Sequence, residues 1–146
     1  MAVRNLTFGL SFTKPPLSLN DRMHYMQRAR IVRQIREEVV TLLRMHRIRK
    51  DAEHVVVHFH YRPRDSRIRD TDNLVATVKP IVDALTPGRP ASIGRGGKIV
   101  QPIPGYGLVP DDTPEYITRP EPVIHPASPN PACWVTLTIT YKETEQ

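Results

Sequence analysis

Hydrophobic positions along this chain switch between two periods, and the switches mark the elements. Residues 5–13 alternate, with Leu6, Phe8, Leu10 and Phe12 opposing Asn5, Thr7, Gly9 and Ser11. That pattern predicts a half-buried strand, closed by Lys14-Pro15-Pro16. From about 22 to 48 the period lengthens: Ile31, Ile35, Val39, Leu42 and Leu43 recur at threes and fours, with Val32 and Met45 widening the stripe. This predicts a long helix, with Asn20 or Asp21 as its N-cap. Residues 53–61 return to period two, Val55, Val57, Phe59 and Tyr61 opposing Val56, His58 and His60. A second helical pattern follows through Leu74, Val75, Val78, Ile81, Val82 and Leu85, to about residue 86. Pro80 lies inside it, which predicts a kink or a division there. The last clear element is a strand at 133–141, where Val135, Leu137, Ile139 and Tyr141 alternate with three threonines.

Strand, helix, strand, helix and a final strand predict an α+β (mixed α/β) fold. The expectation is a small mixed sheet of about four strands with two main helices packed on it. The stretches at 86–110 and 114–131 are rich in proline, the first also in glycine, and read as long loops. No repeat or linker divides the chain, so 1–146 reads as a single domain. Composition adds that this is a globular chain, 39% hydrophobic and 25% charged. With one cysteine, Cys133, no intramolecular disulfide and no cysteine zinc cluster can form. No signal-peptide run opens the chain and no segment approaches the ~20 apolar residues of a membrane span. The sequence therefore predicts a cytoplasmic protein without a membrane partner.

The formal charge of +6 and a pI near 9.8 favour a polyanionic partner, nucleic acid foremost. Candidate phosphate contacts are Arg28, Arg30 and Arg33 on the first helix, Arg67 and Arg69 after the second strand, and Arg95 and Lys98 among the glycines. A solvated cationic helix face explains the first three equally well. Gly94-Arg95-Gly96-Gly97-Lys98 lacks the spacing and the strand-to-helix context of a phosphate-binding loop, so nucleotide binding is rejected.

Candidate chemistry centres on Arg67-Ile68-Arg69-Asp70-Thr71-Asp72-Asn73-Leu74. Acids one residue apart point the same way if the backbone between them is extended, and their oxygens suit a hard divalent cation beside phosphate. The competing reading makes Asp72 the cap of the next helix. Asp111-Asp112 supplies a second acidic pair. Lys79 lies seven residues after Asp72, about 700° round a regular helix and so on nearly the same face. His58 and His60 share a strand face, where packing or solvent exposure is the preferred reading over metal binding.

Taken in order, Asp70-x-Asp72-Asn73-Leu74, Lys79 through Asp83-Ala84-Leu85, and Gly107-x-x-x-Asp111-Asp112 resemble the signature of the RusA-type Holliday junction resolvases. Pro15-Pro16-Leu17-Ser18-Leu19-Asn20 and the order of elements agree with that resemblance, which spans about residues 6–112 and the final strand. It implies a single RusA-like endonuclease domain, bacterial or phage-encoded, with a loop insertion at about 87–104. It implies Asp70, Asp72 and Asp112 as catalytic metal ligands with Asp111 beside them, and Lys79 as the functional lysine. The implied cofactor is Mg²⁺, with Mn²⁺ as a substitute. The implied activity is the cutting of opposed strands of four-way DNA junctions by a homodimer. A non-catalytic DNA-binding protein of the same fold and a small-molecule phosphohydrolase are the alternatives.

Overall fold

A computed structural model describes residues 2–19 and 22–142. In chain order the elements are β1 (Ala2–Gly9), α1 (Tyr25–Met45), β2 (His54–Arg62), a 3₁₀ turn (Thr71–Leu74), α2 (Val75–Asp83), β3 (Pro87–Arg89), β4 (Ser92–Ile93), β5 (Ile99–Val100), β6 (Ile103–Tyr106), β7 (Ile117–Thr118), β8 (Val123–Ile124) and β9 (Ala132–Tyr141). A five-stranded mixed sheet runs β1-β9-β2, antiparallel throughout, and short β7 and β8 lie end to end, parallel to β2, along its far edge. The class is α+β.

Strand alternation sets the core. On one face Leu6, Phe8, Val55, Val57, Phe59, Val135, Leu137 and Ile139 are buried, and they form one cluster with Ile35, Val39 and Leu43 of α1 and Ile81 and Val82 of α2. At roughly 1.5–3 kcal/mol for each large apolar side chain taken out of water, this cluster is the main favourable term. The other face is half-buried and polar: His54, Val56, His58 and His60 on β2 beside Trp134, Thr136, Thr138 and Thr140 on β9. Cys133 is buried within β9, and burial pushes its thiol up to about 12.

Several boundaries differ from the sequence expectation for local reasons. The first strand starts at Ala2 and ends at Gly9 rather than spanning 5–13. Leu10 still donates to the Cys133 carbonyl, but the Ser11 amide turns away to the Glu38 carboxylate at 2.7 Å. The expected caps of α1, Asn20 and Asp21, lie outside the described residues. The helix starts at Tyr25, and the cap is His24, whose Nδ1 accepts from the Met26 amide at 3.2 Å. Its C-terminus closes as a Schellman motif: Ile48 donates to Leu43 and Arg47 to Arg44, with Arg47 left-handed at φ 50. Burying Ile48 offsets the strain of a non-glycine residue there. The second helix runs across Pro80 undivided and ends at Asp83, short of residue 86. The proline costs one bond, to the Ala76 carbonyl, and its ring is buried in the core.

The two stretches read as loops are both structured. Residues 87–106 fold back as an arm of two stacked hairpin tiers, β3 with β6 and β4 with β5. Residues 113–131 form a strap that supplies β7 and β8 to the sheet.

Candidate functional site

The acidic turn is built by its own cap. Asp70 has extended backbone, φ −99 and ψ 127, and its Oδ1 accepts from the Asp72 amide at 3.0 Å. The Asn73 amide donates to the Asp70 carbonyl at 3.2 Å. Asp70 therefore starts the 3₁₀ turn, and the capping role considered for Asp72 belongs to Asp70. Both carboxylates are exposed. A buried threonine fixes the start of α2, just after the turn, against the N-terminal loop: the Thr77 hydroxyl donates to the Leu17 carbonyl at 2.8 Å and accepts from the Leu17 amide at 3.2 Å. That clasp makes one wall of a cleft of about 380 Å³ whose lining includes Lys14, Leu17, Tyr61, Arg69, Asp70 and Asn73.

Lys79 joins distant segments. Its Nζ lies 3.0 Å from Asp83 Oδ1 and 3.1 Å from Asp112 Oδ2. The hydrogen bond to Asp83, then that to Asp112, raises the lysine above its ordinary value despite partial burial. The same lysine holds Asp112 below the usual carboxylate range, with Arg119 adding to the effect. Asp112 is positioned further by its own amide, which donates to Asp111 Oδ1 at 2.8 Å, while Asp111 stays exposed. Asp72 and Lys79 are separated by about 10 Å of helix axis at ~1.5 Å per residue. Asp112 thus docks at the Lys79 level of α2. Among the described residues, no three His, Cys, Asp or Glu side chains gather as a metal-holding group.

The arginines divide into anchored and open. Arg69 is half-buried: Nη2 donates to Asp65 Oδ1 at 2.7 Å and Nη1 to the carbonyls of Asp65 and Arg67. Arg67 also faces Asp65, at 3.6 Å, but remains far more exposed. Asp65 is held below its ordinary value first by the Arg69 hydrogen bond. Arg33 pairs with Glu37 at 3.0 Å and donates to the Pro102 carbonyl at 2.7 Å, so it braces the arm. Arg28 is half-buried, whereas Arg30, Arg95 and Lys98 are exposed.

Sequence reasoning missed three groups. Glu121 accepts from the hydroxyl of Thr71, the residue between the two acids, and no periodicity in its proline-flanked segment marks it. Asp65 and Thr77 gave no signal beyond ordinary composition. His58 and His60 are bound within the protein: His58 Nε2 meets the Glu121 carbonyl at 3.2 Å, and His60 meets His125 at 2.9 Å and Thr136 at 3.1 Å. Trp134 stacks parallel on His60, with ring centroids 5.2 Å apart. Comparison with protein-family models and with curated proteins finds no match, and among the described residues no helix is long and apolar enough to cross a membrane.

Proposed function

We propose that this chain is a Mg²⁺-dependent endonuclease for branched DNA, resolving four-way junctions as a cytoplasmic homodimer. The observation that carries the reading is the ion-pair chain Asp83–Lys79–Asp112 at α2, the helix that follows directly on the 3₁₀ turn capped by Asp70 and containing Asp72. Two members of that chain, Lys79 and Asp83, lie on one short helix, and the third, Asp112, reaches it although it is forty residues from Asp72 in sequence.

The donor set fits Mg²⁺ in chemistry. Asp70 and Asp72 offer exposed carboxylate oxygens, and Mg²⁺ is commonly held by one or two carboxylates, waters and substrate phosphate rather than by an all-protein cage. Asp70 and Asp72 would hold the ion first, with Asp112 and its neighbour Asp111 at the Lys79 end, and Mn²⁺ could replace it. When bound, the ion supplies charge neutralisation and a water activated for attack on phosphorus. Lys79 stays an ammonium at neutral pH and can turn from Asp112 to a phosphate oxygen, stabilising charge that develops on the leaving group. Arg30 and Arg67 are exposed and can grip flanking phosphates, Arg67 by turning from Asp65.

A non-catalytic DNA-binding protein is the second reading. It is favoured by the lack, among the described residues, of a gathered three-ligand group. A labelled four-way junction and a linear duplex, each incubated with Mg²⁺ and with EDTA, separate the two. Symmetric Mg²⁺-dependent nicks in the junction support the nuclease. Asp70→Asn is the decisive variant, because asparagine caps as well as aspartate and removes only the charge. Cleavage should fall by about a hundredfold or more, the scale of losing one transition-state-stabilising group, with junction binding retained. Binding without cutting by the unmodified protein would leave the second reading.

A further inference from the structure

The arm is built as a rigid stem with an apolar, cationic tip. Arg36 Nε donates to the Pro104 carbonyl at 2.7 Å and Nη2 to the Asp83 carbonyl at 3.3 Å, and Arg33 holds Pro102. Gly88 and Gly105 face each other so closely that a Cβ on either would collide with the opposing backbone. Amides of Tyr106 and Leu108 donate to the carbonyls of Ala84 and Leu85 at the end of α2. The stem is therefore fixed to the helix that carries the candidate site. Beyond it the ribbon leaves the core. Gly96 and Gly97, at φ 72 and 76, make the turn, and Ile93 and Ile99 stand directly opposite each other across β4 and β5. They are 80% and 72% exposed. Between Asp83 and Asp111 there is no acidic residue, while Arg89, Arg95 and Lys98 are all exposed.

We infer that the arm enters the major groove of duplex DNA, with the Ile93–Ile99 ridge against thymine methyl groups and Arg95 and Lys98 on the flanking phosphates. The inference rests on DNA being the partner, as proposed above. Width selects the groove. Two strands about 4.8 Å apart, with their side chains, make a ribbon of roughly 10 Å, which suits a major groove of about 12 Å and not a minor groove of about 6 Å. Chemistry selects the contact, because the thymine C5-methyl is the apolar group on the major-groove edge. A lone exposed isoleucine needs no explanation. A cross-strand pair at the tip of a braced, acid-free arm is a surface complementary to a polyanion with apolar spots.

Replacing thymine by deoxyuridine removes that methyl and nothing else. The protein should bind a thymine-containing junction more tightly than its uracil counterpart, by about fourfold per methyl contacted. Ile93→Ala/Ile99→Ala should bind both alike. Both side chains are exposed, so the double variant should fold normally, which circular dichroism checks. Arg95→Ala/Lys98→Ala should lower affinity for both DNAs and flatten the log K against log salt slope by about 1.8. If the parent protein binds and discriminates thymine but the isoleucine variant discriminates equally, the inference is overturned while the nuclease reading stands. If the isoleucine variant instead changes the oligomeric mass of the free protein and leaves discrimination intact, the ridge is a protein interface and the groove assignment falls. No DNA affinity in the parent protein sinks both readings together.

Discussion

The arm and the strap are alike in proline content and have opposite fates. Both are proline-rich segments with strands of two to four residues, and neither shows a period in sequence. The arm spends its hydrogen bonds on itself, on the end of α2 and on two arginines of α1, and its tip isoleucines, Ile93 and Ile99, end in solvent. The strap spends its bonds on β2. Val55 donates to the Tyr116 carbonyl, His125 to Tyr61 and Ser128 to Pro63, while Ile117 and Pro122 are buried. Proline is tolerated in the strap because it lies on the sheet's outer edge, where a missing N–H breaks no inner ladder. The interruption between β7 and β8 also blunts that edge against pairing with another chain. Burial of a few side chains, not proline content, decides which segment belongs to the core.

Substitutions should therefore separate the two. The largest effect is expected at Ile117→Ala, which opens a cavity under the strap and should cost about 2–4 kcal/mol, read as a lower denaturant midpoint. An unchanged midpoint would mean that the strap is only laid on the sheet. Arg36→Ala should cost about 1–2 kcal/mol, since two carbonyls lose a charged donor. Limited proteolysis should then cut first between 87 and 106, and cutting in the strap instead would show that Arg36 does not brace the arm.

Acid should loosen the strap and spare the arm. Desolvation, then His58 and His125, depresses His60 below its ordinary 6.5, and its other neighbours are Thr136, Trp134 and, over Trp134, Arg62. A folded-state value below the unfolded one means that the unfolded chain takes up the proton first. Stability is then complete above about pH 6.5 and declines as pH falls through the folded value. Hydrogen exchange at the His125 amide, taken relative to its intrinsic rate at each pH, should quicken as pH falls below about 6.5, and His60→Gln should flatten the response. Equal quickening in the arm would remove His60 as the cause. The smallest effect is expected for Ile93→Ala/Ile99→Ala, within about 0.5 kcal/mol of the parent protein. A larger loss would place the tip in the core's energetics after all.

Legibility in the sequence followed burial. Strands β1, β2 and β9 and helix α1 announce themselves because one face of each is covered, which imposes a period on Leu6 and Phe8, Val55 to Tyr61, Cys133 to Tyr141, and Ile35 to Leu43. Short β7 and β8 offer two residues each, too few for any period, and owe their conformation to a partner that precedes them by some sixty residues. The acids and Lys79 could be singled out by type and spacing. That Asp70 is the cap, that Lys79 reaches Asp112, and that Glu121 meets Thr71 depend on tertiary placement and on loops that carry no pattern. Arg33 and Arg69 were legible as charges but not as braces, since the bracing contacts run to the Pro102 carbonyl and to Asp65 and its neighbouring carbonyls.

Cys133 gives the molecule a built-in clock. The chain's one thiol is buried in β9, within the core cluster, and held as the unreactive protonated form. Alkylating reagents can therefore reach it only when the core around β9 opens. Labelling rate at that sulfur reports how often the sheet opens, without mutation or added probe. Motions confined to the arm should be silent in such an assay, and release of the strap alone should register only if it propagates into β2.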